Sequence, residues 1–144
     1  MQESQQFFLD TYESVSEDEI SSLLFELVPW DRIFFHGDLG SGKSTFIRAL
    51  LRSHFHDEWL IVRSPTYTYY QKYGIDIYHF DLYRVESFDD IFLLGAMDIF
   101  ENPTTICLIE WPEILWDSLH ATRKISLSTG VESGRDYRIE TLKN

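Results

Sequence analysis

An α/β domain built on a mixed sheet is the architecture this sequence predicts, and three observations carry the prediction. Strand and helix signals alternate through the first sixty residues, whereas paired β runs around glycine turns dominate later. Between the two regimes of strand and helix, a glycine-rich stretch joins a short apolar run to a helical pattern. At 144 residues the chain fits one domain, residues 1–144, and leaves no room for a second core.

Taken in order, Gln6–Tyr12 reads as a short strand. Ser16 then stands three residues before Glu19, the spacing of a capping box. Ile20, Leu23, Leu24 and Leu27 follow at the i, i+3, i+4, i+7 stripe of an amphipathic helix, which Pro29 stops. Ile33-Phe34-Phe35 is a short apolar run of the kind buried in parallel sheets. After the glycine-rich stretch, Phe46, Ile47, Leu50 and Leu51 return to helical spacing, with Arg48 and Arg52 on the outer face. Tyr67–Tyr70 and Ile75–Phe80 flank a turn at Gly74 and predict a hairpin. Ser87 opens a short helix that Gly95 ends. Ile106–Ile109 is a second buried-strand run, ending abruptly in Glu110. Ile125–Ser128 and Tyr137–Leu142 are two further strands around a Gly130/Gly134 turn.

Composition narrows the function. With 44% hydrophobic and 16% aromatic residues the chain can bury a core. One cysteine, Cys107, forms no internal disulfide and suits a reducing, cytoplasmic setting. The opening MQESQQFFLD lacks the basic residues of a signal peptide, and no apolar run approaches the roughly 18–20 residues that span a bilayer. Net charge is −12, of which the first 31 residues supply −8 through eight acids and no Lys or Arg. Such a field repels polyanions, which argues against direct binding of DNA or RNA. A local phosphate site remains open, because backbone N–H groups bind anions without net charge.

That site is Gly37-Asp38-Leu39-Gly40-Ser41-Gly42-Lys43-Ser44, which matches Gly-x-x-x-x-Gly-Lys-Ser/Thr at every position. The glycines let the loop curl so that N–H groups from Asp38 to Ser44 point inward, and the following helix adds its positive end. Lys43 can bridge β- and γ-phosphates, Ser44 can ligate Mg²⁺, and Thr45 can reach an α-phosphate. The expected ligand is Mg-ATP, and the fold becomes a three-layer, P-loop NTPase-like domain with a β-hairpin insertion. Glu110, ending a buried strand, is placed for a magnesium-side carboxylate. Asp81, ending another, either orients water or Mg²⁺ or pairs with Arg84. His54 and His56 read as solvated rather than metal-binding, Cys107 as packing, and the tyrosines from 67 to 83 as hairpin faces rather than RNA-stacking rings. Trp111, beside Glu110, is placed to sense a nucleotide.

Taken together, GDLGSGKST, SPTYTYYQKY, YHFDLYRV and CLIEWPE, in that order, resemble the TsaE (YjeE) family of bacterial P-loop ATPases, from about Phe7 to about Ile139. The resemblance implies an ATPase partner of TsaB and TsaD homologues, which attach threonylcarbamoyl to the adenosine beside a tRNA anticodon. Contact with tRNA would then run only through the complex. It also implies that Ser44 and Glu110 are Mg²⁺ ligands and that Lys43 is the phosphate lysine. Thr66 and Asp81 match switch-like and water-side positions, and Arg135 after Gly134 matches a nucleotide-side Gly-Arg. Ser41 and Ser44 stand where Ala and Thr are commoner in the family, and adenine contacts near Ser14 stay unassigned. Two other functions fit the same loop: a nucleotide-sensing module that barely turns over, and a small-molecule kinase, which would want an arginine-bearing lid this chain lacks. A GTPase fits less well, since no Asn-Lys-x-Asp motif occurs. No arginine finger is apparent beside the loop, which predicts weak activity alone and completion by a partner.

Overall fold

A computed structural model describes residues 5–131 and 133–143. Residues 1–4, part of the opening stretch discussed above, residue 132 inside the Gly130/Gly134 turn, and residue 144 lie outside the described residues. The strands are β1 (Phe7–Val15), β2 (Arg32–His36), β3 (Tyr70–Tyr73), β4 (Ile77–Asp81), β5 (Ile106–Glu110), β6 (Arg123–Thr129) and β7 (Arg135–Leu142). They form a seven-stranded sheet in the order β1-β7-β6-β2-β5-β4-β3. The central strands β6, β2, β5 and β4 are parallel, while β7 pairs antiparallel with both β6 and β1 on one side and β3 pairs antiparallel with β4 on the other. The mixed sheet is the predicted one.

Helices cover both faces, giving three layers. On one face α1 (Lys43–His54) lays Phe46, Ile47, Leu50 and Leu51 onto Ile33, Phe35, Leu108 and Ile125. Each of the four helix residues is at most 1% exposed, and each such burial stabilises by about 1.5–3 kcal/mol. On the other face α2 (Phe88–Leu93), α3 (Ala96–Glu101) and a 3-10 helix (Pro112–Ser118) pack Ile91, Phe100 and Leu115 onto Phe34, Phe80, Cys107 and Ile109. Among the described residues no helix is long and apolar enough to cross a membrane.

Two expectations need correction, and one element is new. The stripe from Ile20 to Leu27 forms not an α-helix up to Pro29 but a 3-10 helix, Glu17–Leu23, followed by extended chain. Ser21-Ser22 is a weak helix-forming pair, and the Ser22 hydroxyl takes the Glu19 carbonyl at 2.8 Å in competition with the backbone. Ile20, Leu23 and Leu27 are buried against α1 all the same. At the predicted capping box, the Glu19 carboxylate accepts the Ser16 N–H at 3.1 Å and the Ser16 hydroxyl at 2.8 Å. The first hairpin strand starts at Tyr70, not Tyr67, because Pro65 begins a turn closed by the Tyr69 N–H on the Pro65 carbonyl at 2.7 Å. Gly95, at φ 73°, closes the α2 turn as expected, and the chain then re-enters helix as α3, the new element.

Candidate functional site

Parallel register gathers the site. Phe35 pairs with Glu110, and Glu110 with Asp81, so β2, β5 and β4 end side by side. β2 runs straight into the phosphate loop, its neighbour β5 ends in Glu110, and β4 on the far side of β5 ends in Asp81. Both are almost buried, Asp81 at 7% and Glu110 at 4% exposure. This is the carboxyl edge of a parallel sheet, where open α/β folds bind ligands.

The loop curls as its glycines require. Gly37, Gly40 and Gly42 all have positive φ, and Gly42, at 105°, turns the chain into α1. A cavity of about 300 Å³ opens here, lined by Leu39 to Thr45, Ser64, Thr66, Asp81, Glu110, Trp111 and Arg135. It thereby brings together every residue predicted for the site except Asp38, which is exposed and contributes its backbone carbonyl to Lys43 at 3.1 Å. A larger depression of about 600 Å³ lies at the other end of α1, lined by Ser53, His54 and His56 on one side and by Ser21 and Leu24–Leu27 on the other, away from these groups.

Within the cavity, the Lys43 ammonium donates to the Gly37 and Asp38 carbonyls and lies 4.6 Å from the Trp111 ring centroid. Burial pushes its pKa below the ordinary value, and Glu110, Asp81, Asp38 and Glu113 pull it back up. Asp81 is fixed twice, accepting the Tyr83 N–H at 3.0 Å and the Thr66 hydroxyl at 3.4 Å. The Ser64 and Thr66 hydroxyls are 2.7 Å apart. The alternative pairing of Asp81 with Arg84 is not found: Arg84 stacks on the Tyr67 ring at 4.5 Å instead. Glu110 places Oε2 2.7 Å from His79 Nε2.

Arg135, expected on the nucleotide side, does lie beside the loop. Its guanidinium donates to Gly40 O at 3.4 Å as well as to Ser133 O and Gly134 O. Gly134, just before Arg135, lets β1 pass close by. A Cβ there would come within 2.8 Å of the Ser14 backbone, where β1 bulges with Ser14 at φ 51° and its N–H on Asp136 at 2.8 Å. His79 carries no expected role, although it stands between Ile77 and Asp81 on the face of β4 turned toward the apolar cluster of Ile77 and Leu108.

One hydroxyl and two carboxylates around a phosphate loop are hard oxygen donors that fit Mg²⁺, an ion that keeps water and phosphate oxygens in its shell rather than needing a protein cage. The set suits a phosphate-bound magnesium ion.

Comparison with known proteins identifies the family and the fold. The chain is 44% identical over 84 residues to the tRNA threonylcarbamoyladenosine biosynthesis protein TsaE of Haemophilus influenzae, an alignment covering 56% of this chain and about half, 51%, of that protein. To the protein of the same name from Borreliella burgdorferi it is 36% identical over 124 residues, 80% of this chain and 85% of the relative. The crystal structure of YdiB from Bacillus subtilis superposes with a TM-score of 0.71, covering 98% of this chain and 90% of that one, and at 20% identity this supports the fold. The family model for the threonylcarbamoyl adenosine biosynthesis protein TsaE matches residues 9–138, which hold the whole site, and the chain belongs to that family.

Proposed function

We propose that this chain is a Mg-dependent ATP-binding and ATP-hydrolysing subunit, one cytoplasmic domain over residues 1–144, that supports TsaB and TsaD homologues in threonylcarbamoylation of the tRNA adenosine next to the anticodon. The observation that carries the reading is the convergence of Lys43, Ser44, Thr66, Asp81 and Glu110 on one cavity at the ends of β2, β4 and β5. Family membership and the shared name of the relatives support the pathway.

Each residue has a role its position supports. Loop N–H groups and the start of α1 receive the phosphates. Lys43 exchanges its two loop carbonyls for phosphate oxygens, a stronger partner for a partly desolvated ammonium. Ser44 and Glu110 would hold Mg²⁺, which when bound neutralises charge on the transferring phosphoryl group. Asp81, steadied by Thr66, accepts a hydrogen bond from the attacking water. Arg135 adds a second cation at the loop. With a net charge of −12, contact with tRNA runs through the partners.

Calorimetric titration with ATP and Mg²⁺ tests the site. Saturable one-to-one binding that Lys43→Ala weakens at least tenfold, about 1.4 kcal/mol, supports the reading. Equal affinity in both proteins would place the nucleotide elsewhere and sink it.

A further inference from the structure

On the sheet face beneath α1, the alternating residues of β4 are Ile77, His79 and Asp81. Ile77 and Leu108, the register partner of His79, belong to the apolar cluster packed against α1. A leucine at position 79 would continue that core. An imidazole 1% exposed stands there instead, and it is only half satisfied: Nε2 meets Glu110, whereas Nδ1 has no protein partner among the described residues. Packing alone does not account for a polar ring in this position, since a buried nitrogen without a partner is unfavourable.

The carboxylates differ in the way that matters here. Asp81 has two donors of its own. Glu110 has one among the described residues, and it is His79. An ionised carboxylate only accepts, so His79 donates its Nε2–H to Oε2. Oε1 is left as the oxygen free to take a ligand.

We propose that His79 is a positioning residue for Glu110: its Nε2–H fixes the carboxylate so that Oε1 is presented to the magnesium side of the cavity. This rests on the reading of Glu110 as the magnesium-side carboxylate. Ligand-orienting hydrogen bonds of this kind set metal affinity, and their loss typically costs roughly ten- to a hundredfold.

The test is ADP affinity of the full chain by calorimetry, with excess Mg²⁺ and again in EDTA. The ratio of the two affinities isolates the contribution of the ion. His79→Leu, which suits the apolar surroundings, is expected to cut that ratio roughly tenfold or more while leaving the EDTA affinity unchanged. His79→Gln, whose amide nitrogen reaches about as far as Nε2, restores most of the ratio. His79→Asn, whose amide nitrogen falls nearer the Nδ1 position, does not, and this pair decides the matter should the leucine variant fold poorly. A wild-type ratio in His79→Leu, or a ratio as low in His79→Gln as in His79→Asn, overturns the proposal. Glu110→Ala separates the two levels. If it abolishes the ratio while His79→Leu does not, positioning by His79 is wrong and Glu110 keeps its role. If Glu110→Ala leaves the ratio intact, both readings fall.

Discussion

Replacing Arg32 with methionine should destabilise the fold by about 2–4 kcal/mol, and the number follows from tracing each hydrogen bond the guanidinium makes. Arg32 opens β2 and is fully buried. Nε and Nη2 donate to Phe100 O at 3.1 and 3.0 Å, Nη2 also to Asn102 O at 2.8 Å and Thr105 Oγ1 at 2.9 Å, and Nη1 to Thr105 O at 2.5 Å and Asp31 O at 3.0 Å. The cation therefore gathers the end of α3, the loop into β5 and the start of β2, with Trp30 stacked 4.2 Å from its centre. Summing six bonds would overstate its value. Asp31 O keeps the Cys107 N–H, Thr105 O keeps the Trp30 N–H, and Asn102 O keeps the Thr105 N–H. Phe100 O alone has no other donor among the described residues, because Thr104 N–H goes to the Asn102 side chain. One orphaned carbonyl costs about 1–3 kcal/mol, and imperfect filling by methionine adds about one more. Removing a desolvated charge offsets part of this. For a chain of 144 residues, the loss lowers Tm by about 7–13 °C. Urea unfolding followed by circular dichroism measures it directly. A midpoint giving a change below about 0.5 kcal/mol, the size of an ordinary surface substitution, would refute the reasoning.

Two further outcomes follow from local geometry. Gly134→Ala sets a Cβ 2.8 Å from Ser14 backbone atoms that cannot swing aside. It should cost about 1–3 kcal/mol by urea unfolding and weaken ATP binding by moving Arg135 off the loop, whereas unchanged stability would mean the β1 bulge yields freely. Burial pushes the Cys107 thiol from 9.0 up to about 11, against the opposing pull of Arg32 and Thr105. The unfolded thiol then ionises before the folded one, so its contribution is complete below about pH 9 and disappears as pH rises through about 11, roughly 2–3 kcal/mol in all. Cys107→Ala should show a flatter decline of stability with pH over that window. Parallel declines in the two proteins would contradict the assignment.

Much of this was legible in the sequence because the signals were local. The loop motif, the buried runs Ile33–Phe35 and Ile106–Ile109, and the acids that end two strands all depend on short-range pattern. What stayed hidden depends on register between distant segments. Nothing near Asp81 in sequence says that Glu110 stands beside it; the parallel pairing of β4 with β5 does. His79 acquires a purpose only once Glu110 is its neighbour. The 3-10 helix was misjudged for a different reason. Apolar periodicity reports which residues are buried, and Ile20, Leu23 and Leu27 are, but it does not separate a tight helical turn plus extended chain from a full α-helix.

Turnover is the property to measure before any other: steady-state ADP release by the purified chain, alone and with a TsaB–TsaD pair, with Lys43→Ala as the blank. Slow release that requires Lys43 and rises when the pair is added is the expected result. Nucleotide that binds but is never hydrolysed in a Lys43-dependent way, with or without the pair, would contradict it and leave a nucleotide-sensing module in which Asp81 and Glu110 have no catalytic part.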